Sequence, residues 1–208
     1  MKRYENKLFY YTWKSRGIPT TYGLNPCFLD TIKSSEDIRT QLIYTQLSFD
    51  HPWNSEFGLI NRLDNDTWWL LFFAKNISIL QDYKILQSEN KVEKIYICDV
   101  YGIVKFDNIE VSNPIYHHKY NDSKMTLDPN KWRWKPIITT TSATKLYIDE
   151  HNKISTLLIK LHKGARHQIR VHLSSIWHPI VWENIYARHK QNNQNILHLR
   201  SIWLNIYW

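Results

Sequence analysis

Residues 61–76, NRLDNDTWWLLFFAKN, set an Arg-Leu-Asp triplet, a second acid and a threonine against a dense apolar run. Residues 70–74 read as a buried strand, and a run this short cannot cross a membrane. Asp64 falls on the turn that feeds this strand. The core can hold an acid at such an edge rigidly while its carboxylate faces a cleft. The competing reading is that Arg62 and Asp64 are solvated loop charges. Two other groups could join an acid in chemistry: Tyr96, inside the strand-like run KIYICDV, and Arg170, inside RHQIRVHLSS just after Gly164. Metal chemistry has little to work with. His167, His172 and His178 are spaced five and six apart, which does not put two on one helical face. Cys27 and Cys98 are isolated, without CxxC spacing, and read as reduced core residues. The clustered carboxylates of a two-metal phosphoryl-transfer site are absent.

The elements that must position these groups follow from periodicity. An apolar-aromatic strand is expected near residues 8–11, followed by a turn over 14–19. A helix is allowed over 36–47. Ile79, Tyr83 and Leu86 fall on one side of a helix over 78–88, capped by Asn76 or Ser78. Residues 94–100 form a strand, with Tyr101-Gly102 turning it back onto 103–106 as a hairpin. Residues 107–136 read as a long, irregular basic connection carrying Lys119, Lys124, Lys131, Arg133 and Lys135. A second hairpin joins 144–149 to 154–162, with Leu157, Ile159 and Leu161 alternating onto one face. Gly164 breaks that strand, and residues 166–175 form a helix stopped at Trp177-His178-Pro179.

The 208 residues suit one domain. Apolar content of 43% and charged content of 22% describe a globular chain. A net charge of +8 favours a polyanionic partner, nucleic acid first. No run reaches transmembrane length, and the start lacks the apolar block of a signal peptide, so a cytoplasmic location is expected. The chain holds 10 Trp and only 5 Gly, against roughly 15 Gly at ordinary usage of about 7%. Several Trp stand where turns favour Gly: Trp53, Trp132, Trp134 and Trp177. The pattern suggests that many of them are glycines, written as Trp from a codon such as UGA under the wrong table. A Trp-rich surface that stacks on bases is the alternative.

Three ordered motifs together resemble the RluA type of RNA pseudouridine synthase. The first is Asn61-Arg62-Leu63-Asp64-Asn65-Asp66-Thr67-Trp68-Trp69-Leu70-Leu71-Phe72-Phe73-Ala74-Lys75. It is similar to the family's His-Arg-Leu-Asp-x-x-Thr-Ser-Gly-Leu-Leu-Leu-Phe-Ala-Lys, with Asn61 in place of His and Trp68-Trp69 in place of Ser-Gly. The second is Lys94-Ile95-Tyr96-Ile97-Cys98, followed by Gly102. The third is Gly164-Ala165-Arg166-His167-Gln168-Ile169-Arg170-Val171-His172-Leu173, followed by His178-Pro179-Ile180-Val181 between Trp177 and Trp182. Those two Trp again stand at family Gly positions.

The resemblance implies an α+β pseudouridine synthase fold: a large, mostly antiparallel mixed sheet flanked by helices, with a central cleft. It implies a single catalytic domain over 1–208 with no separate N-terminal RNA-binding domain, and a monomer. The implied activity is site-specific conversion of uridine to pseudouridine in structured RNA, rRNA or tRNA, without cofactor, metal or membrane. Asp64 would be the catalytic carboxylate, ionised at neutral pH given a reference pKa of about 3.9. Arg170 would pair with it, and Tyr96 would stack on a base that has left the RNA stack. Arg62, Lys75, Arg166, His167, Gln168 and Lys135 would contact RNA. The rival from another class is a non-catalytic RNA-binding or ribosome-assembly module that retains the fold.

Overall fold

Alternating burial along two long strands builds the larger core. In β4 (Val92–Tyr101), Tyr96, Cys98 and Val100 point inward. In β9 (Ile154–Leu161), Ser155, Leu157, Ile159 and Leu161 do the same, as their spacing predicts. The two strands run antiparallel with Tyr96 opposite Ile159. The structure is a computed structural model that describes residues 3–5 (backbone only), 9–15, 20, 58–131, 134–187 and 196–207. The helix expected over 36–47 lies outside the described residues, as do Cys27, Trp53 and Trp132.

The chain divides into two compact units, Met1–Lys91 with Ile206–Trp208, and Val92–Asn205. In the first, β1 (Arg3–Glu5), β2 (Phe9–Lys14) and β3 (Trp68–Ala74) form consecutive antiparallel ladders. Helix α1 (Ile77–Ser88) follows β3. The Asn76 side chain caps it by accepting from the Ile79 N–H at 3.0 Å, and Leu80, Tyr83 and Leu86 are buried. In the second unit the strand order is β10 (Leu199–Ile206), β4, β9, β8 (Thr141–Asp149), β5 (Asn108–Val111). Helix α2 (Gln168–Ser175) packs its Val171 against Ile115 and Met125. These elements give the α+β class expected.

Three expectations change. Residues 103–106 do not pair back on β4, whose partner in the hairpin position is β9. The Gly102 N–H bonds instead to the Lys153 carbonyl (2.8 Å), and the Val104 N–H to Ser155 Oγ (3.1 Å), so this segment is carried past β4. The following strand is β5, paired with β8. The connection over 107–136 is not irregular. It contains β5, the paired strands β6 (Tyr116–His117) and β7 (Met125–Thr126), and a 3-10 turn over Pro129–Lys131. Ile115 and Met125 are buried against Val171, with Leu127 packed beside them, and help anchor it. Lys14 ends β2 instead of starting a turn.

Candidate active site

Asp64 opens a four-residue turn, Asp64-Asn65-Asp66-Thr67, closed by the Thr67 N–H on the Asp64 carbonyl at 3.1 Å. Asp is favoured at the first position of such turns. The segment before it lies along β3. The Ile60 N–H bonds to the Phe72 carbonyl, and the Asn61 amide accepts from the Phe72 N–H (2.8 Å) and donates to the Leu70 carbonyl (3.2 Å). Asn61 therefore works as a staple between the two arms of the turn. Thr20 Oγ1 accepts from the Leu63 N–H (3.1 Å) and donates to the Leu63 carbonyl (2.8 Å), which fixes the residue before the acid.

The strongest support comes from below. Lys14 is 1% exposed. Its ammonium lies within bonding distance of the carbonyls of Ser15 (3.0 Å), Asp64 (3.3 Å), Asn65 (3.0 Å) and Thr67 (2.9 Å). Burial pulls its pKa down to about 8, while the carboxylates of Asp66 and Asp64 pull it back up. One buried cation thus gathers the carbonyls of the acid-bearing turn. Asp64 itself is half-buried and Arg62 is exposed. Lys75, just past β3, sets its ammonium 4.7 Å from the Tyr10 ring centre.

In the second unit, Tyr96 is buried in β4. Two residues earlier, Lys94 has its pKa lowered to about 8 by burial. A Cβ on Gly164 would sit 3.7 Å from Lys94 Nζ, so the chain break after β9 passes close to this ammonium. Arg170 lies on α2 and is 2% exposed. Its Nε and Nη2 donate to the two carboxylate oxygens of Glu183 at 2.7 and 2.8 Å. Glu183 is fully buried and also accepts from the Ile185 N–H at 2.8 Å. The Arg170 guanidinium stands 5.8 Å from the Tyr186 ring centre. Tyr186 in turn places its hydroxyl 2.7 Å from His167 Nδ1 and accepts the Met125 N–H at 2.9 Å.

Asp64 therefore belongs to the first unit, and Tyr96 and Arg170 to the second. Arg166 and Lys135 are exposed, as an RNA contact requires, and Arg166 Nη1 donates to the Asp122 carbonyl at 2.8 Å. Gln168 is different. It is 2% exposed, and its amide bonds the Ala165 N–H, Thr139 Oγ1, the Thr140 carbonyl and Thr141 Oγ1. These bonds fix the start of α2 and occupy both ends of its amide. His167 is also buried. It sits in the left-handed region (φ +54) at the N-cap, so the helix begins two residues later than expected. His172 is buried between Thr141 Oγ1 (2.8 Å) and the Asn113 carbonyl (2.9 Å), and burial lowers its pKa. Among the described residues no three metal-ligating side chains gather, and no helix is long and apolar enough to span a membrane.

Sequence reasoning missed Lys14 and Glu183. The signal for Glu183 was present: a lone acid after the apolar run Ile180-Val181-Trp182 needs a buried cation. Lys14 had none, since a lysine ending a strand gives no sign of which carbonyls it will reach.

The chain resembles known proteins over most of its length. A family model described as RNA pseudouridylate synthase matches residues 21–175. Ribosomal large subunit pseudouridine synthase C of Buchnera aphidicola subsp. Baizongia pistaciae is 32% identical over 162 residues, 73% of this chain and 49% of that protein. Ribosomal large subunit pseudouridine synthase D of Nitrosomonas europaea is 35% identical over 132 residues, 63% of this chain and 36% of that one. The chain thus spans less than half the length of these relatives. Among solved structures, human RNA pseudouridylate synthase domain containing 1 superposes with a TM-score of 0.71 at 20% identity, covering 98% of this chain and 77% of that one. The chain belongs to the RNA pseudouridylate synthase family, of the RluA type its motifs resemble.

Proposed function

We propose that this chain converts uridine to pseudouridine in structured RNA, ribosomal RNA first, with Asp64 as the catalytic carboxylate. The supporting observation is the turn that carries Asp64. It lies inside the matched span, and its backbone is fixed from two sides by Lys14 and Thr20. An acid pre-positioned this way loses little entropy on reaching its reactive geometry. The reaction breaks the bond between uracil N1 and ribose C1′, turns the base, and forms a bond from C5 to C1′. The C5 hydrogen leaves as a proton and N1 gains one, so atoms balance without oxidant or cofactor. Ionised Asp64 would attack the sugar or stabilise its developing positive charge.

Arg170, gripped by Glu183, is the cation the resemblance assigns to Asp64. A planar, permanently charged guanidinium can serve two carboxylates at once, which an ammonium does less well. Tyr96 would stack on the flipped base. Unstacking that base costs a few kcal/mol, and phosphate contacts from Arg62, Lys75, Arg166 and Lys135 would offset it. Transfer RNA is the second substrate class. Two relatives are named as synthases of the large ribosomal subunit, which puts ribosomal RNA first. Incubating the protein separately with unmodified ribosomal RNA and unmodified tRNA, then mapping pseudouridine, tests the reading. Formation at defined uridines of ribosomal RNA is expected. RNA binding without any pseudouridine would leave the non-catalytic module standing instead.

A further inference from the structure

Six non-glycine residues among those described have positive φ, and three of them are tryptophans: Trp69 (+91°), Trp177 (+68°) and Trp182 (+66°). The described chain has seven Trp in all: 13, 68, 69, 134, 177, 182 and 203. A bulky residue at positive φ is an outlier, since only a few per cent of all non-glycine residues go there. Three in seven is therefore not chance scatter. Gly58 (+74°) and Gly102 (+87°) occupy the same region.

Each position also has a turn whose hydrogen bonds demand that backbone. Helix α2 ends in a Schellman motif. The His178 N–H bonds to the Leu173 carbonyl at 3.0 Å, and the Trp177 N–H to the Ser174 carbonyl at 3.2 Å. The residue between helix and exit in this motif is left-handed and usually glycine, and here it is Trp177. Residues 180–183 form a turn closed by the Glu183 N–H on the Ile180 carbonyl at 3.0 Å, with positive φ at its third position, Trp182. That is the type II pattern, which calls for Gly or Asn there. Trp69 lies within β3 opposite Lys14, and its φ exceeds the left-handed well of about +50 to +70° open to L residues. Its indole is pressed against those of Trp13 (4.9 Å) and Trp68 (5.4 Å).

We infer that residues 69, 177 and 182 are glycines in the polypeptide its own host makes, encoded by a codon such as UGA that is written here as Trp. These glycines are positioning residues. Position 182 turns the chain into Glu183, which holds Arg170. Position 177 delivers the His178-Pro179 segment to β4, where the Tyr101 N–H bonds to the Pro179 carbonyl at 2.9 Å. Position 69 stands beside the lysine that gathers the Asp64 turn.

Two measurements test this, and neither depends on activity. The first compares Trp177→Gly with Trp177→Ala, and Trp182→Gly with Trp182→Ala. Trp177 is 65% exposed, so losing its indole removes little packing. Both variants lose the side chain, and only Gly relieves the backbone. Each Gly variant should melt about 2–4 °C above its Ala counterpart. Equal or lower melting would overturn the inference, and so would loss of RNA binding without a gain in melting temperature, which would make the indoles a base-stacking platform. The second is mass spectrometry of the tryptic peptide 171–188 from the host's own protein. Glycine at both 177 and 182 is expected, and Trp at either contradicts it.

Discussion

Replacing Lys14 by Met keeps most of the side-chain volume and removes the cation beneath the Asp64 turn. Its three N–H donors serve four carbonyls at 2.9 to 3.3 Å, three of them on the turn. Hydrogen bonds from a charged donor contribute about 1.5–3 kcal/mol each, net of the water they replace. Burial disfavours the charged form of Lys14, as its lowered pKa of about 8 shows, so the low end of that range applies. Losing the two shortest contacts to the turn, on the Asn65 and Thr67 carbonyls, should then cost about 3 kcal/mol of stability. For a chain of this size that lowers the melting temperature by about 6–12 °C. The local effect is more diagnostic. The Thr67 amide, which closes the turn, should exchange with solvent faster than in the parent. Pseudouridine formation should fall about a hundredfold, as expected when a reacting group drifts by about 1 Å. Urea titration, hydrogen exchange and a single-turnover assay at a temperature where the variant stays folded read all three. A Lys14→Met protein with parental Thr67 exchange and parental turnover would refute the account of how Asp64 is held.

Glu183→Gln removes the carboxylate charge that takes two nitrogens of Arg170 at 2% exposure, and should cost about 3–5 kcal/mol in urea titration. The double variant Arg170→Met with Glu183→Leu should recover much of that stability while forming no pseudouridine, because the buried pair is replaced but the guanidinium is not. Lys14 and Lys94 both have their pKa lowered to about 8. Between pH 8 and the ordinary 10.5 the unfolded chain binds more protons at these lysines than the folded one, so their contribution makes stability rise with pH. Lys94→Met should flatten that rise, as urea midpoints across the window will show. Arg166→Ala and Lys135→Ala should each weaken RNA binding and reduce the slope of log affinity against log salt by about 1.

What was legible in the chain was set by local rules. β9 alternates apolar residues with a period of two, and α1 announces itself with Asn76 as cap. Asp64 sat where a turn residue must precede an apolar strand. What was not legible depended on partners far along the chain. Residues 103–106 look strand-like, but Ser155 and Lys153 claim their neighbouring amides. The connection over 107–136 is dominated by charge, which hid the apolar anchors among its residues, Ile115 and Met125 included. Gln168 and His167 look polar enough for RNA, and nothing local shows that both are buried, with bonds to Thr140, Thr141 and Tyr186. The resemblance assigns the Arg170 guanidinium to Asp64, and nothing local shows that Glu183, thirteen residues on, holds two of its nitrogens.

The most direct test is pseudouridine formation by the parent and by Asp64→Asn on the same ribosomal RNA, with RNA affinity measured in parallel. The substitution removes the charge and keeps the shape. The account predicts pseudouridine from the parent, none from the variant, and similar affinity for both. Pseudouridine formed equally by the variant, or by neither protein, would contradict it.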